Sequence, residues 1–155
     1  MSRLRVIVDR FEDSNGQYAI WSILCVSVES RYFPDKEWHD ATSSVLTMWL
    51  GQVRLLLQGS SSKETLYFMD GDYSLLLQTA NQKVAKLCWV AGESVVFCGE
   101  VDLLYFARQL LAAVGKMQQH FWNKKEIQPI QEISQEADQL RKEIKKQRAE
   151  KSSLS

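Results

Sequence analysis

The chain has 155 residues, of which 45% are apolar, and its 19 basic and 19 acidic side chains leave a formal net charge of zero. This length and composition suit one domain with a buried core. The balanced charge excludes a uniform field that would recruit nucleic acid or a membrane surface, and no apolar run approaches the ~20 residues of a membrane span.

The N-terminal region predicts a β-hairpin. Apolar and charged side chains alternate over Leu4–Phe11, the pattern of a half-buried strand. Ser14-Asn15-Gly16 follows, and Asn-Gly is a strong hairpin signal because both residues tolerate positive φ. The return strand, Gln17–Val28, is rich in aromatic and β-branched residues. Its length predicts either a bend or a middle section that is apolar on both faces.

A long amphipathic helix is predicted next, over Phe33–Gln58. Its apolar residues recur at helical spacing, which places them on one face directed toward a sheet. Pro34 suits the first turn, where its missing N–H has no partner to lose, and Gly59 suits the end. The apolar face consists of Trp38, Ala41, Val45, Leu46, Trp49, Val53 and Leu56.

The middle of the chain predicts a meander of four strands. Their turns are Asp70-Gly71-Asp72, the polar Thr79–Gln82 and Ala91-Gly92-Glu93. The strands are Thr65–Met69, Tyr73–Gln78, Val84–Val90 and Ser94–Cys98. Together with the N-terminal hairpin they predict one mostly antiparallel sheet of about six strands.

A second long helix, Val101–Trp122, completes the predicted domain. Its apolar stripe widens to cover a sheet face, and either Gly99 or Asp102 would cap its start. We therefore expect an α+β fold in which residues 1–126 form a single domain, with two long helices on one face of the sheet.

The C-terminal region predicts a third amphipathic helix, over residues 127–150, that Pro129 can open. Its apolar stripe is Ile130, Ile133, Ala137, Leu140 and Ile144. At about two heptads the stripe is short for an autonomous coiled coil. We expect the helix either to dock on its own domain or to form an oligomer seam or partner seam, and residues 151–155 to be disordered.

The sequence contains no pattern of a metal, cofactor or catalytic site. The two histidines, His39 and His120, are expected in helices without a second ligand at the i+4 position. Glycine-rich phosphate loops and hydrolase motifs are absent from the sequence. We therefore expect no metal, no cofactor and no catalytic residues, although the sequence leaves open whether two of its acids converge as a catalytic pair.

The three cysteines predict core positions and a location in the cytoplasm. An odd number at scattered positions suits a reducing compartment, and the charged start of the chain is unlike a signal peptide. Cys25, Cys88 and Cys98 are expected to pack as small apolar groups. A cross-strand disulfide between Cys88 and Cys98 is the alternative, since the two face each other if their hairpin loop has three residues.

An acidic and aromatic set is the most informative polar feature. Up to Glu100 the chain has twelve acidic and nine basic residues, which indicates either an ordinary solvated face or a surface complementary to a basic partner. Neighbouring aromatic side chains, including Tyr32 and Phe33, would supply buried anchors. The candidate partner-binding residues are Asp35, Glu37, Trp38, Asp40, Asp70, Asp72 and Tyr73.

The order of elements resembles the small cytosolic bacterial immunity proteins of polymorphic toxin systems. The likeness covers residues 30–115 and rests on this architecture, on Trp38, Asp40 and Trp49, and on the Asp70-Gly71 turn. The resemblance implies a non-enzymatic protein that binds and blocks a cognate toxin, with an acidic face that covers a basic active site. A protein partner, specifically a basic toxin domain, is thus expected, and neither nucleic acid nor a membrane.

Two other functions stay open at this stage. The chain would be a structural or adaptor protein if the C-terminal stripe forms a homodimer. It would be a small-ligand carrier or an enzyme if a polar cavity lies between helices and sheet. The sequence does not distinguish an inhibitor from a chaperone or an adaptor, since all three act through a binding surface and have no catalytic residues.

Overall fold

The computed structural model describes Met1 and residues 3–12 and 18–153. Within them are eight strands and three helices, so the predicted α+β class is confirmed. The strands divide into two antiparallel four-stranded sheets rather than the single sheet that we predicted. The first two helices pack against the sheets, and the third packs on those two helices.

The first sheet is built around one fully buried strand. This strand, β2 (Ser22–Val28), pairs with β1 (Leu4–Asp9) on one edge and with β3 (Arg31–Phe33) and β4 (His39–Asp40) on the other. The strand begins at Ser22, later than predicted, and all seven of its residues are buried, including the polar Ser22 and Ser27. Its middle section, residues 23–26, is apolar on both faces, the second of the two predicted alternatives. The predicted turn Ser14-Asn15-Gly16 lies outside the described residues.

The first helix, α1, begins at Thr42 and ends at Gln58, nine residues later than predicted at its start. The predicted first turns instead pair with β2, where Phe33 lies opposite Val26 and Asp40 opposite Ser22. The apolar side chains in this segment have helical spacing, but the backbone pairs with β2 instead of forming a helix. The end is as predicted, since Gly59 adopts a left-handed φ of 76° and caps the helix.

The second sheet is the predicted meander. Its strands run in the order β5 (Lys63–Tyr67), β6 (Tyr73–Thr79), β7 (Val84–Ala91) and β8 (Ser94–Asp102). The β5–β6 and β7–β8 turns therefore lie at one end of the sheet and the β6–β7 turn at the other. Helix α2 (Leu103–His120) follows β8 directly, and the Asp102 side chain caps it by accepting a 2.7 Å hydrogen bond from the Tyr105 N–H.

The C-terminal helix, α3 (Gln128–Ser153), packs on α1 and α2. All five residues of its apolar stripe are buried in the chain's own core: Ile130, Ile133, Ala137, Leu140 and Ile144. The Gln147 side-chain amide donates a 2.6 Å hydrogen bond to the Leu57 carbonyl at the end of α1. This is the docked alternative, and an oligomer seam through the same stripe would require α3 to leave the domain. Residues 151–153, predicted to be disordered, belong to α3.

Aromatic side chains join the two sheets. Phe33 at the end of β3 stacks on Trp89 of β7 at 5.3 Å between ring centroids. Trp49 of α1 is fully buried, packs edge-on against Phe68 at 5.0 Å, and donates its indole N–H to the Tyr67 carbonyl at 2.9 Å. Burial of such large rings is a major part of the core energy, so the two sheets share one core.

A disulfide joins Cys88 of β7 to Cys98 of β8, directly opposite each other in the register. Cys88 is buried as predicted, but the core interpretation is wrong for Cys98, which is exposed, and the cross-strand disulfide is the observed alternative. Cys25 is free and fully buried, as predicted. Because disulfides are more typical of oxidising compartments, the pair removes the cysteine argument for a cytoplasmic location, which stays a prediction.

Within the described residues, no helix combines the length and the apolar character that crossing a membrane requires.

Candidate partner-binding surface

Asp40 holds two loops together from inside the protein. Its carboxylate is fully buried and accepts hydrogen bonds from the Ala41 N–H at 2.7 Å and the Trp38 indole N–H at 3.0 Å. It also accepts the backbone N–H groups of Met69 and Asp70, each at 3.2 Å. The start of α1 and the β5–β6 turn are thus bound to one side chain. Charged hydrogen bonds of this kind are among the strong ones.

Trp38 fills the space between the same loops. Its ring packs edge-on against Tyr73 at 5.0 Å between centroids. Gly71 has a φ of 97°, and a Cβ added there would lie 3.0 Å from Trp38 Cη2 and 3.1 Å from the Tyr73 ring. Only glycine fits this close approach without strain. The structure therefore brings together four of the predicted site residues, Trp38, Asp40, Asp70 and Tyr73.

Three exposed acids lie on the two turns at this end of the second sheet. Asp70 and Asp72 flank Gly71 in the β5–β6 turn, and Glu93 lies in the β7–β8 turn. The Gly92 N–H donates a 2.8 Å hydrogen bond to the Asp72 carbonyl, which fixes one turn against the other. Among the described residues, none of the three carboxylates is in an ion pair. We call Asp70, Asp72 and Glu93 the acidic loop surface.

Glu93 is not among the predicted partner-binding residues, although the order of the meander turns indicates its position. Alternate turns of a meander lie at the same end of its sheet, so the predicted Ala91-Gly92-Glu93 turn belongs beside the Asp70-Gly71-Asp72 turn. Their acids are some twenty positions apart in the sequence, so their proximity follows only from the topology of the sheet.

The remaining predicted contacts are placed differently. Asp40 was expected on the partner-binding surface, but its burial and its four donors make it a structural group that no partner can reach. Glu37 is exposed and pairs with Arg10 at 3.7 Å, which partly neutralises it. Asp35 is exposed in the adjoining loop, where its carbonyl accepts the Trp38 N–H at 3.1 Å.

The aromatic anchors are mostly internal. Phe33 is buried and Trp38 and Tyr73 are half-buried, so these rings support the loops from beneath. Tyr32 is 39% exposed and lies 5.6 Å from the Lys36 ammonium, a cation–π distance. Beside the acidic turns, Met69 is 51% exposed. Apolar contact with a partner would therefore involve Tyr32 and Met69 rather than the predicted tryptophan.

One of the two histidines lies in a helix as predicted, since His120 is the last residue of α2, and the other does not. His39 lies in β4 rather than in a helix, stacks on Trp21 at 5.9 Å and contacts Glu12 through Nε2 at 3.1 Å. Its neighbour Asp40, one of the candidate partner-binding residues, is fully buried. Within the described part of the chain no three histidine, cysteine, aspartate or glutamate residues are arranged to hold a metal ion.

Cys25 lies beneath the loop that carries Asp35. Its thiol is 3.7 Å from the Lys36 carbonyl. Burial, and secondarily the negative charge of Asp35, raises the pKa of the Cys25 thiol to about 11. A protonated, enclosed thiol is a poor nucleophile, so Cys25 acts as a core residue.

We expect Cys25 to resist alkylation even in mild alkali. At pH 9 an ordinary cysteine is about three-quarters ionised, whereas a thiol of pKa about 11 is ionised to only about one part in a hundred. Iodoacetamide at pH 9 should therefore leave the native, unreduced protein unlabelled. Unfolding in urea should expose one labelled site and reduction should add two more, counted by mass spectrometry. Fast labelling of the native protein would contradict this environment for Cys25.

A separate groove lies at the opposite end of the molecule. It encloses about 630 Å³ between the end of α1, the β6–β7 turn and the last turns of α3. Its charged lining is mixed and includes Lys83, Asp102, Glu143 and Lys146. The volume is within the range of small-molecule sites, so the ligand-carrier alternative stays a prediction.

Comparison of the chain with protein-family models, curated proteins and solved structures finds no significant match.

Proposed function

We propose that the chain is a non-enzymatic protein-binding module, an immunity-type inhibitor that binds a basic toxin domain through the acidic loop surface. The observation that supports this most directly is the combination of exposed acids and a rigid support. Among the described residues the three carboxylates form no ion pair, and they project from two turns that hydrogen bonds hold to the buried Asp40 carboxylate and to each other.

Rigidity matters because binding must offset the entropy of ordering flexible loops. The β5–β6 turn is held from below by the Asp40 carboxylate and laterally by the Gly92–Asp72 hydrogen bond. Gly71 is packed against the Trp38 ring. The acids therefore need little reorganisation to meet a partner of complementary charge, which favours fast, specific association.

Charge reversal of the β5–β6 turn tests the proposal. The double variant Asp70→Lys/Asp72→Lys is expected to lose the partner, since two favourable charges become repulsive. We would immobilise both proteins, apply native-host lysate at low and high salt, and identify retained chains by mass spectrometry. We expect the original protein to retain one basic polypeptide stoichiometrically, released by salt, with at least a tenfold loss in the double variant, a factor equivalent to about 1.4 kcal/mol.

The matched control is Glu132→Lys/Asp138→Lys, which changes net charge equally through two exposed acids of α3. It should retain the same polypeptide as the original protein. Growth protection by co-expression of the original chain with that polypeptide, if it is toxic, would identify inhibition rather than chaperoning. Equal retention by both double variants would refute the acidic loop surface as the binding site.

A further inference from the structure

We propose that the free edge of β8 is a second contact site, which accepts an extended basic segment of the same protein partner as an added antiparallel strand. This inference rests on the proposed function, because the β7–β8 turn that begins the edge also carries Glu93 of the acidic loop surface. It identifies backbone hydrogen bonding as the mode of recognition.

Helix side chains cover the outer edges of two other strands. On β1, the Val6 N–H donates to the Gln109 side chain at 3.4 Å, and Lys116 of α2 donates to the Val8 carbonyl at 2.8 Å. On β5, Gln52 and Trp49 of α1 donate to the Thr65 and Tyr67 carbonyls at 2.7 and 2.9 Å. These contacts satisfy backbone groups that would otherwise offer a template for pairing.

The edge of β8 has no such cover. It pairs with β7 alone, and among the described residues no other strand lies on its outer side. Val95 and Val96 near its start are 59% and 53% exposed, and Cys98 and Glu100 are exposed as well. The irregularity in register is confined to the first residues, next to Val90, and Phe97–Val101 pairs regularly. A regular, uncovered segment of this length can accept another strand.

The register shows which backbone groups are free. The Leu103 N–H donates to the Lys83 carbonyl at 2.8 Å, so that pair is hydrogen-bonded and alternate pairs, including Lys86–Glu100 and Cys88–Cys98, are not. The Cα–Cα distance of 4.1 Å between Cys88 and Cys98 agrees, since pairs without hydrogen bonds are the closer ones. The N–H and C=O groups of Cys98 and Glu100 therefore point to the free edge.

The charge of the edge selects the occupant. Between positions 90 and 107 the chain has three acids, Glu93, Glu100 and Asp102, and no lysine or arginine. Bases lie on neighbouring elements: Lys86 of β7 is opposite Glu100, and the Arg31 guanidinium lies 5.9 Å from the Phe97 ring centroid. Lys83 and Arg108 line the grooves beside Asp102. The charged side chains of β8 itself, which an added strand would adjoin directly, are all acidic. A second copy paired antiparallel would bring two sets of these acids together, whereas a basic strand complements them.

Proline at position 100 tests the backbone contact without breaking the domain. Because the Glu100 N–H faces the free edge, Glu100→Pro keeps the β7–β8 ladder and removes one donor from the edge. Glu100→Gln is the matched control, since it removes the same charge and keeps the donor. The probe is a capped peptide of about eight residues with alternating lysine and valine, the length of a typical strand, and a glutamate–valine peptide is its control.

Amide hydrogen exchange of the full-length protein gives the readout. We expect the lysine peptide to slow exchange at Cys98 and Glu100 by about tenfold or more in the original protein and in Glu100→Gln. The glutamate peptide should give no protection, and neither peptide should protect Cys98 in Glu100→Pro. Circular dichroism checks that this variant is folded. If it is not, N-methylglutamate introduced at position 100 by semisynthesis removes the same N–H donor without proline.

Three results would overturn the inference. Protection from exchange confined to the amides of Asp70 and Asp72 would show that the peptide does not bind the β8 edge, and it would be compatible with the proposed function. Absence of protection at saturating peptide would remove the edge as an acceptor of basic strands. Protection that depends on protein concentration without peptide would show that a second copy is the occupant. The effect of Asp70→Lys/Asp72→Lys on partner binding is a separate measurement, so failure of this inference can be distinguished from failure of the proposed function.

Discussion

Replacing Asp40 with asparagine is expected to lower the free energy of unfolding by about 2–4 kcal/mol, a large effect for one side-chain atom. The amide keeps one acceptor oxygen, but its NH₂ group faces N–H donors that the carboxylate now satisfies. If the oxygen stays on Ala41, the Trp38 indole at 3.0 Å and the Met69 N–H at 3.2 Å lose their acceptor. Buried donors without a partner cost about 1–3 kcal/mol each.

Urea denaturation followed by tryptophan fluorescence measures the change, and Asp70→Asn is the control. It makes the same chemical substitution thirty positions later on an exposed side chain, and it should change stability by no more than about 0.5 kcal/mol. A loss below about 1 kcal/mol for Asp40→Asn would mean that the loops are held by packing around Trp38 instead. Weaker partner binding by folded Asp40→Asn would show that the hydrogen bonds of Asp40 position the acidic loop surface for binding.

Periodic patterns and turn chemistry predicted most of the elements correctly. Two of the three meander turns and the glycine end of α1 depend on local backbone conformation, which the Asp-Gly, Gly-Glu and Gly-Ser sequences specify directly. The buried stripes of α2 and α3 follow from helical spacing over many residues. Such features are local, so one sequence is enough to place them.

The start of α1 shows where local reasoning failed. Trp38, Ala41 and Val45 have helical spacing, yet only the last of them lies in the helix. The backbone at Phe33 and Asp40 pairs with β2, and the Asp40 side chain binds a turn thirty residues away. These are long-range hydrogen bonds that no window of sequence contains, and tertiary contacts of this kind override spacing.

The candidate site was predictable in composition but not in role. Asp40, Asp70 and Trp38 were all singled out, and the structure does bring them together. An aspartate has the same appearance in a sequence whether it faces solvent or is buried and accepts four hydrogen bonds. The difference depends on which donors the fold brings to it, and here Met69 and Asp70 arrive from the β5–β6 turn. Asp40, predicted as a partner contact, thus supports the acidic loop surface from inside the protein.

Ile133→Ala is expected to lower the free energy of unfolding by about 2–5 kcal/mol, the range for removing a fully buried isoleucine side chain. Ile133 is a central member of the α3 stripe, and its side chain lies in the common core with α1 and α2. If that burial is within one chain, the unfolding midpoint of the original protein will not depend on protein concentration. Thermal unfolding over a hundredfold range of concentration measures this directly.

Gln131→Ala, two residues earlier on the exposed side of α3, is the matched control and should stay within about 0.5 kcal/mol of the original protein. The pair separates the two roles of the stripe, because an oligomer seam would make both the midpoint and the effect of Ile133→Ala grow with concentration. A concentration-dependent midpoint with a sedimentation mass that falls in Ile133→Ala would contradict docking within one chain. A constant midpoint and a monomeric mass would support docking within one chain, and the β8 edge and the acidic loop surface would stay the proposed binding sites.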